Sequence, residues 1–77
     1  MDALHRSLAR RIKHLMRAKG LSVNRLADFS GIGRGRMSEI LAAKSSPTVR
    51  TLARIADALD VRVADLFTGE MDDSKPA

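Results

Sequence analysis

Between Arg25 and Arg50 the chain sets five cations, Arg25, Arg34, Arg36, Lys44 and Arg50, against two acids, Asp28 and Glu39. Arginine presents a planar fork of donors that fits a phosphate or the O6/N7 edge of guanine. Lysine and the hydroxyls of Ser38, Ser45 and Ser46 add donors to phosphate oxygen. The chemistry on offer is recognition of a polyanion. Bond-breaking chemistry has little to work with. There is no cysteine or tyrosine, His5 and His14 lie nine residues apart without a carboxylate partner, and no glycine-rich loop follows a strand. The expectation is a binding protein with no enzyme activity, no metal and no cofactor.

Helices must position these cations. Leu4, Leu8, Ile12, Leu15 and Met16 recur every three or four residues, the period of an α-helix, and predict a first helix over Ala3–Lys19, capped by Asp2 and ended by Gly20. Ser22 is placed to cap a second helix that buries Leu26 and Ala27 and stops before Gly31, with Ile32 anchoring the turn. A third helix over Arg34–Ala42 turns Met37, Ile40 and Leu41 inward and leaves Arg34, Gly35, Arg36 and Glu39 outside. After a loop through Pro47, Thr48 caps a fourth helix with Val49, Leu52, Ile55, Ala56 and Leu59 at helical spacing, and a last short helix covers Val63–Phe67. No segment alternates as a strand does, so the class is all-α. Residues 22–41 read as two short helices joined by a tight turn, a helix-turn-helix whose second helix carries arginines. Arg34 opens that helix, where a cation opposes the helix dipole, so something other than helix stability favours it.

Seventy-seven residues make one domain able to hide only about 60–65% of its unfolded surface. With neither disulfide nor zinc, stability must come from aliphatic packing or from a second copy of the chain. Residues 1–62 carry 13 basic and 5 acidic side chains, and residues 63–77 carry one and four. A polyanion therefore suits the first part, and the acidic end should be held away from it. The polar composition from Glu70 onward predicts a disordered tail, 70–77, behind a folded domain, 1–69. No apolar run approaches membrane length, and the start carries charge where a signal peptide needs an apolar stretch, so a cytoplasmic location is expected.

The run from Lys19 to Phe67 closely resembles the Xre/Cro-type helix-turn-helix family, the lambda-repressor-like five-helix fold. The matching residues are Gly20-Leu21-Ser22, Leu26-Ala27, Gly31-Ile32, Met37-Ser38 and Ile40, Pro47-Thr48, Leu52, Ile55-Ala56 and Ala58-Leu59-Asp60-Val61. The chain departs at Val23, where relatives often have a glutamine that reaches a phosphate. It departs again at Met16 and Leu41, where relatives commonly pair an arginine with a glutamate. Replacing both partners of a buried ion pair with apolar groups is often neutral or stabilising, so the double change is coherent with the fold.

The resemblance implies double-stranded DNA as partner and assigns roles by position. Arg34, Gly35 and Glu39 would face the bases of the major groove, with Gly33 and Arg36 against the backbone. Arg25, Lys44, Ser45, Ser46 and Arg50 flank that helix as phosphate contacts, and Ser38 faces sideways toward phosphate. Arg34 suits guanine, whereas Glu39 either accepts from cytosine N4 or pairs with Arg36 and orients it. Gly35 weakens the helix by about 1 kcal/mol relative to alanine; either it lets the backbone approach base edges or the first turn is frayed. Phe29 is either tucked onto the fourth helix or exposed for a partner. The cations of the first helix read as a solvated face, because most side chains of that helix point away from DNA in this fold.

One such module makes few base contacts, and the family generally works as a two-fold dimer on a palindromic operator. The expected dimer contact is the end of the fold, Val61, Arg62, Val63, Asp65, Leu66 and Phe67, with Arg62 and Asp65 pairing across the axis and Leu66 and Phe67 shared between that role and the intrachain core. The leading expectation is a small dimeric repressor. The alternative is an antitoxin or other protein-interaction module of the same fold.

Overall fold

Four α-helices and one 3-10 turn make up the computed structural model, which describes residues 3–67. They are α1 (Ala3–Lys19), α2 (Val23–Ser30), α3 (Arg34–Leu41), α4 (Val49–Ala58) and the 3-10 turn Val63–Leu66. The expected cap at Asp2 and the tail 70–77 lie outside the described residues. Ser22 and Thr48 start α2 and α4 as the sequence predicts: the Ser22 hydroxyl accepts the Arg25 N–H at 3.1 Å, and that of Thr48 accepts the Thr51 N–H at 3.1 Å.

All four helices end in one way. The N–H groups of Leu21, Ile32, Lys44 and Val61 each reach back to a carbonyl five residues earlier, at 2.8, 3.1, 2.8 and 2.9 Å, and the residue before each is left-handed. This is the Schellman stop, which satisfies otherwise orphaned carbonyls. Gly20 (φ 70°) and Gly31 (φ 71°) fill the left-handed position where the sequence places a helix end. The other two stops use Ala43 (φ 61°) and Asp60 (φ 60°), residues that give no such sign. Leu21, Ile32 and Val61 then fold onto the core, so Ile32 anchors the turn as expected.

Each element gives the core at least one fully buried side chain: Ile12, Leu26, Met37, Ile55 and, in the 3-10 turn, Leu66, with Leu59 joining them just after α4. α2 packs on α3 and α4, α1 packs on α3, and the 3-10 turn closes against α1 and α4. Met16 and Leu41 are both buried in this core. The hydroxyl of Ser30, also buried, donates to the Leu26 carbonyl at 2.7 Å, so its polarity costs the core little.

Three expectations need correction. Leu4 and Val49, read as core, are 53% and 77% exposed, because both lie in the first turn of their helices, where the apolar stripe has run past the packed region. α3 ends at Leu41, one residue earlier than predicted, with Ala42 as its cap. The fifth helix is a single 3-10 turn: Asp65 N–H bonds the Arg62 carbonyl at 2.9 Å and Phe67 N–H that of Ala64 at 3.1 Å, three-residue spacings that suit a segment too short for an α-helical ladder. Among the described residues no helix is long and apolar enough to cross a membrane.

Candidate nucleic-acid interface

The turn between α2 and α3 is fixed from both sides, by the left-handed Gly31 and by Ile32 packed on the core, so α3 is held rigidly against α2. The inner side of α3 is consumed by Met37, Ile40 and Leu41, all buried. Everything else on it is exposed: Arg34, Gly35, Arg36, Ser38 and Glu39. At about 100° per residue, Gly35 and Glu39 occupy the middle of this outer face, and Arg34 and Arg36 emerge on its two flanks. The helix runs from Arg34 to Leu41 with its arginines turned outward.

Gly33 is the N-cap of α3 and offers no side-chain bond, whereas α2 and α4 are capped by hydroxyls. The first intrahelical bond runs from Met37 N–H to the Gly33 carbonyl at 2.9 Å, so the N–H groups of Arg34, Gly35 and Arg36 have no partner within the helix ladder. Such a helix start attracts anions. A Cβ built on Gly33 or on Gly35 meets nothing within 4 Å, and neither residue has a positive φ. Nothing inside the chain demands glycine at either place.

Arg34 does have a partner that the sequence reading missed. Its guanidinium lies 3.5 Å from the Asp28 carboxylate across the turn, both side chains about 60% exposed, and this carboxylate offsets the unfavourable placing of a cation at a helix start. The signal was the single acid in α2, six residues before the arginine. Between Arg36 and Glu39 no ion pair forms among the described residues.

The other expected contact residues lie before and after α3 in the chain. Arg25 on α2, Lys44 and Ser46 in the loop after α3, and Arg50 on α4 are exposed, and Ser45 is half-buried. The Ser46 hydroxyl bonds His5 Nε2 of α1, a link with no signature in the sequence, since the two residues are 41 positions apart. Phe29 is 60% exposed, which settles its position in favour of the surface.

At the other end of the fold the expected dimer residues separate. Leu66 is fully buried within one chain, so its surface is already committed to the core and it offers nothing to a partner. Arg62 and Asp65 do not wait for a second copy. Asp65 accepts the Arg62 N–H at 3.0 Å and lies 3.9 Å from its guanidinium, because three-residue spacing in a tight turn brings the two together. The backbone carbonyl of Asp65 also accepts from Arg11 Nε at 3.0 Å, tying α1 to this end and giving the half-buried Arg11 a structural task that the solvated reading denied it. Val61, Val63 and Phe67 remain partly exposed. Among the described residues no three His, Cys, Asp or Glu side chains gather as metal ligands do.

Comparison with known proteins places this architecture. The family model of the Cro/C1-type HTH DNA-binding domain matches residues 11–72. The HTH-type transcriptional regulator SutR of Escherichia coli is 39% identical over 61 residues, 79% of this chain and 34% of SutR, so the chain spans about a third of that regulator's length. An SPbeta prophage-derived uncharacterized HTH-type transcriptional regulator of Bacillus subtilis, YopS, is 37% identical over 57 residues, 73% of this chain and 77% of YopS. Among solved structures, the restriction-modification controller protein C.AhdI from Aeromonas hydrophila superposes with a TM-score of 0.83 at 29% identity, covering 86% of this chain and 100% of its own.

Proposed function

Since the chain belongs to the Cro/C1-type helix-turn-helix DNA-binding family, we propose that it is a dimeric transcriptional repressor that occupies a palindromic operator in the cytoplasm. The observation that carries this reading is the division of α3 into a fully packed inner side and an exposed outer side with a cationic, uncapped start. In this reading α3 lies in the major groove. Arg34 donates to a guanine edge, and Gly35 and Glu39 sit over neighbouring bases. Gly33, Arg36, Ser38, Arg25, Lys44, Ser45, Ser46 and Arg50 hold the phosphates that set register. Ser46 gives up its bond to His5 or shares it when it does so. Residues 1–69 form the DNA-binding unit.

Two copies meet through Val61, Val63 and Phe67, which keep exposed apolar surface next to the buried Leu66, and place their α3 helices about 34 Å apart, one turn of duplex. The similarity to a restriction-modification controller supports the regulator reading. Selection of bound duplexes from a random pool tests the proposal. The expected product is a motif with two-fold symmetry containing guanine opposite Arg34. A motif without symmetry removes the dimer, and equal affinity for selected and unrelated duplexes removes the specific regulator.

A further inference from the structure

Helix α1 contains six arginines and lysines and no acidic residue in 17 positions. Four of the cations, Arg6, Arg10, Lys13 and Arg17, follow one another at spacings of four, three and four, which aligns them in a single stripe along the helix. Like charges at these spacings repel and weaken a helix, and a face that merely meets water normally intersperses glutamate to relieve them.

The stripe does not point away from the rest of the molecule. It forms one wall of two shallow grooves that share Lys13. In the first, Arg6, Arg10 and Lys13 face the end of α3 at Leu41–Ala43; in the second, Lys13 and Arg17 face Ser22 and Val23 at the start of α2. Both ends therefore run into the proposed DNA-contacting surface. Ala43 is followed directly by Lys44, Ser45 and Ser46, the last bonded to His5 on α1, and Ser22 caps the helix that carries Arg25. Arg11, which holds the 3-10 turn, lies on another flank of α1, so the stripe and the proposed dimer end do not compete for surface.

We propose that this stripe is a second phosphate track, which holds the backbone of duplex DNA beyond the bases read by α3. The inference rests on the DNA-binding reading above. It extends the contact by about 16 Å, the rise from Arg6 to Arg17 at 1.5 Å per residue, close to half a turn of duplex. Lys13 and Arg17 also line the groove beside Val23, so cations stand next to the start of α2.

The test is the full chain with Arg10→Gln, Lys13→Gln and Arg17→Gln together, three exposed positions, titrated at several salt concentrations against a duplex recovered by selection and against an unrelated duplex. The expected result is weaker binding to both, with the slope of log affinity against log salt shallower by about 0.9 for each of the three cations. The preference for the selected duplex should stay unchanged, because phosphate contacts carry no sequence information. The thermal midpoint should hold or rise, since repulsion within α1 is relieved. An unchanged slope in a folded variant overturns the proposal. So does a variant that keeps its slope on DNA but loses binding to polyglutamate, which would put an acidic protein on this face. A wild-type protein that binds both duplexes equally would defeat the specific-regulator reading and yet leave the slope comparison intact.

Discussion

Replacing Gly35 with alanine separates what the folded chain needs from what its ligand needs. Gly35 is the second residue of α3, its backbone is helical, and a Cβ there meets nothing within 4 Å. Alanine is favoured over glycine inside a helix by about 0.8–1 kcal/mol, and no clash within the chain opposes it. Gly35→Ala should therefore stabilise the free protein by up to about 1 kcal/mol, raising the thermal midpoint by about 4–8 °C for a domain of this size. On DNA the same methyl lies in the middle of the outer face, between Arg34 and Glu39. If the helix backbone closes on the base edges there, the methyl must be accommodated by displacing one surface or the other, at a cost of about 1–3 kcal/mol, as for an overfilled core. That corresponds to roughly a 5- to 150-fold loss of affinity. Thermal melts of the free protein and competition titrations against a selected duplex measure the two halves independently. A more stable variant that binds as tightly as the wild type refutes the close approach. A less stable one refutes the claim that the chain itself has no use for the missing side chain.

Further predictions follow from single contacts. Asp28→Asn frees Arg34 from a surface pair of the kind worth about 0–1 kcal/mol, so stability should change little. Removing a negative charge beside α3 should tighten binding to every duplex while the preference for the selected one narrows, and an unaltered preference in competition titration would show that Asp28 does not position Arg34. Gly31→Ala places a Cβ at φ 71° and should cost about 1–2 kcal/mol in urea denaturation, whereas Asp60→Gly, at an exposed φ of 60°, should be neutral or stabilising by up to about 1 kcal/mol. If both substitutions destabilise equally, the left-handed stops are not the reason. Leu66→Ala should cost about 2–5 kcal/mol because the residue is fully buried within one chain. That loss should persist at protein concentrations where only monomer is present, and its disappearance on dilution would return Leu66 to the dimer interface.

Much of the fold can be read from the chain because its signals are local. Ser22 and Thr48 cap, Gly20 and Gly31 stop, and Met37, Ile40 and Leu41 repeat at helical spacing, each dictated by backbone geometry within one or two turns. From these the four helices, the sharp turn and the outward side of α3 follow. The stops at Ala43 and Asp60 leave no such trace: alanine is left-handed only where its buried surroundings hold it there, and an aspartate that can adopt this conformation has many other uses. Leu4 and Val49 carry the same apolar letter as Leu8 and Leu52; what separates them is where the neighbouring helices end, which no periodicity records. The candidate site divides in the same way. The sequence by itself determined that cations open α3 and crowd α1. Only the tertiary structure decided that Arg34 meets Asp28, that Arg11 bonds Asp65, that Leu66 belongs to the core, and that the α1 stripe meets the start of α2 and the end of α3. These depend on distances between separate elements, and such distances are set by packing rather than by any residue's own preference.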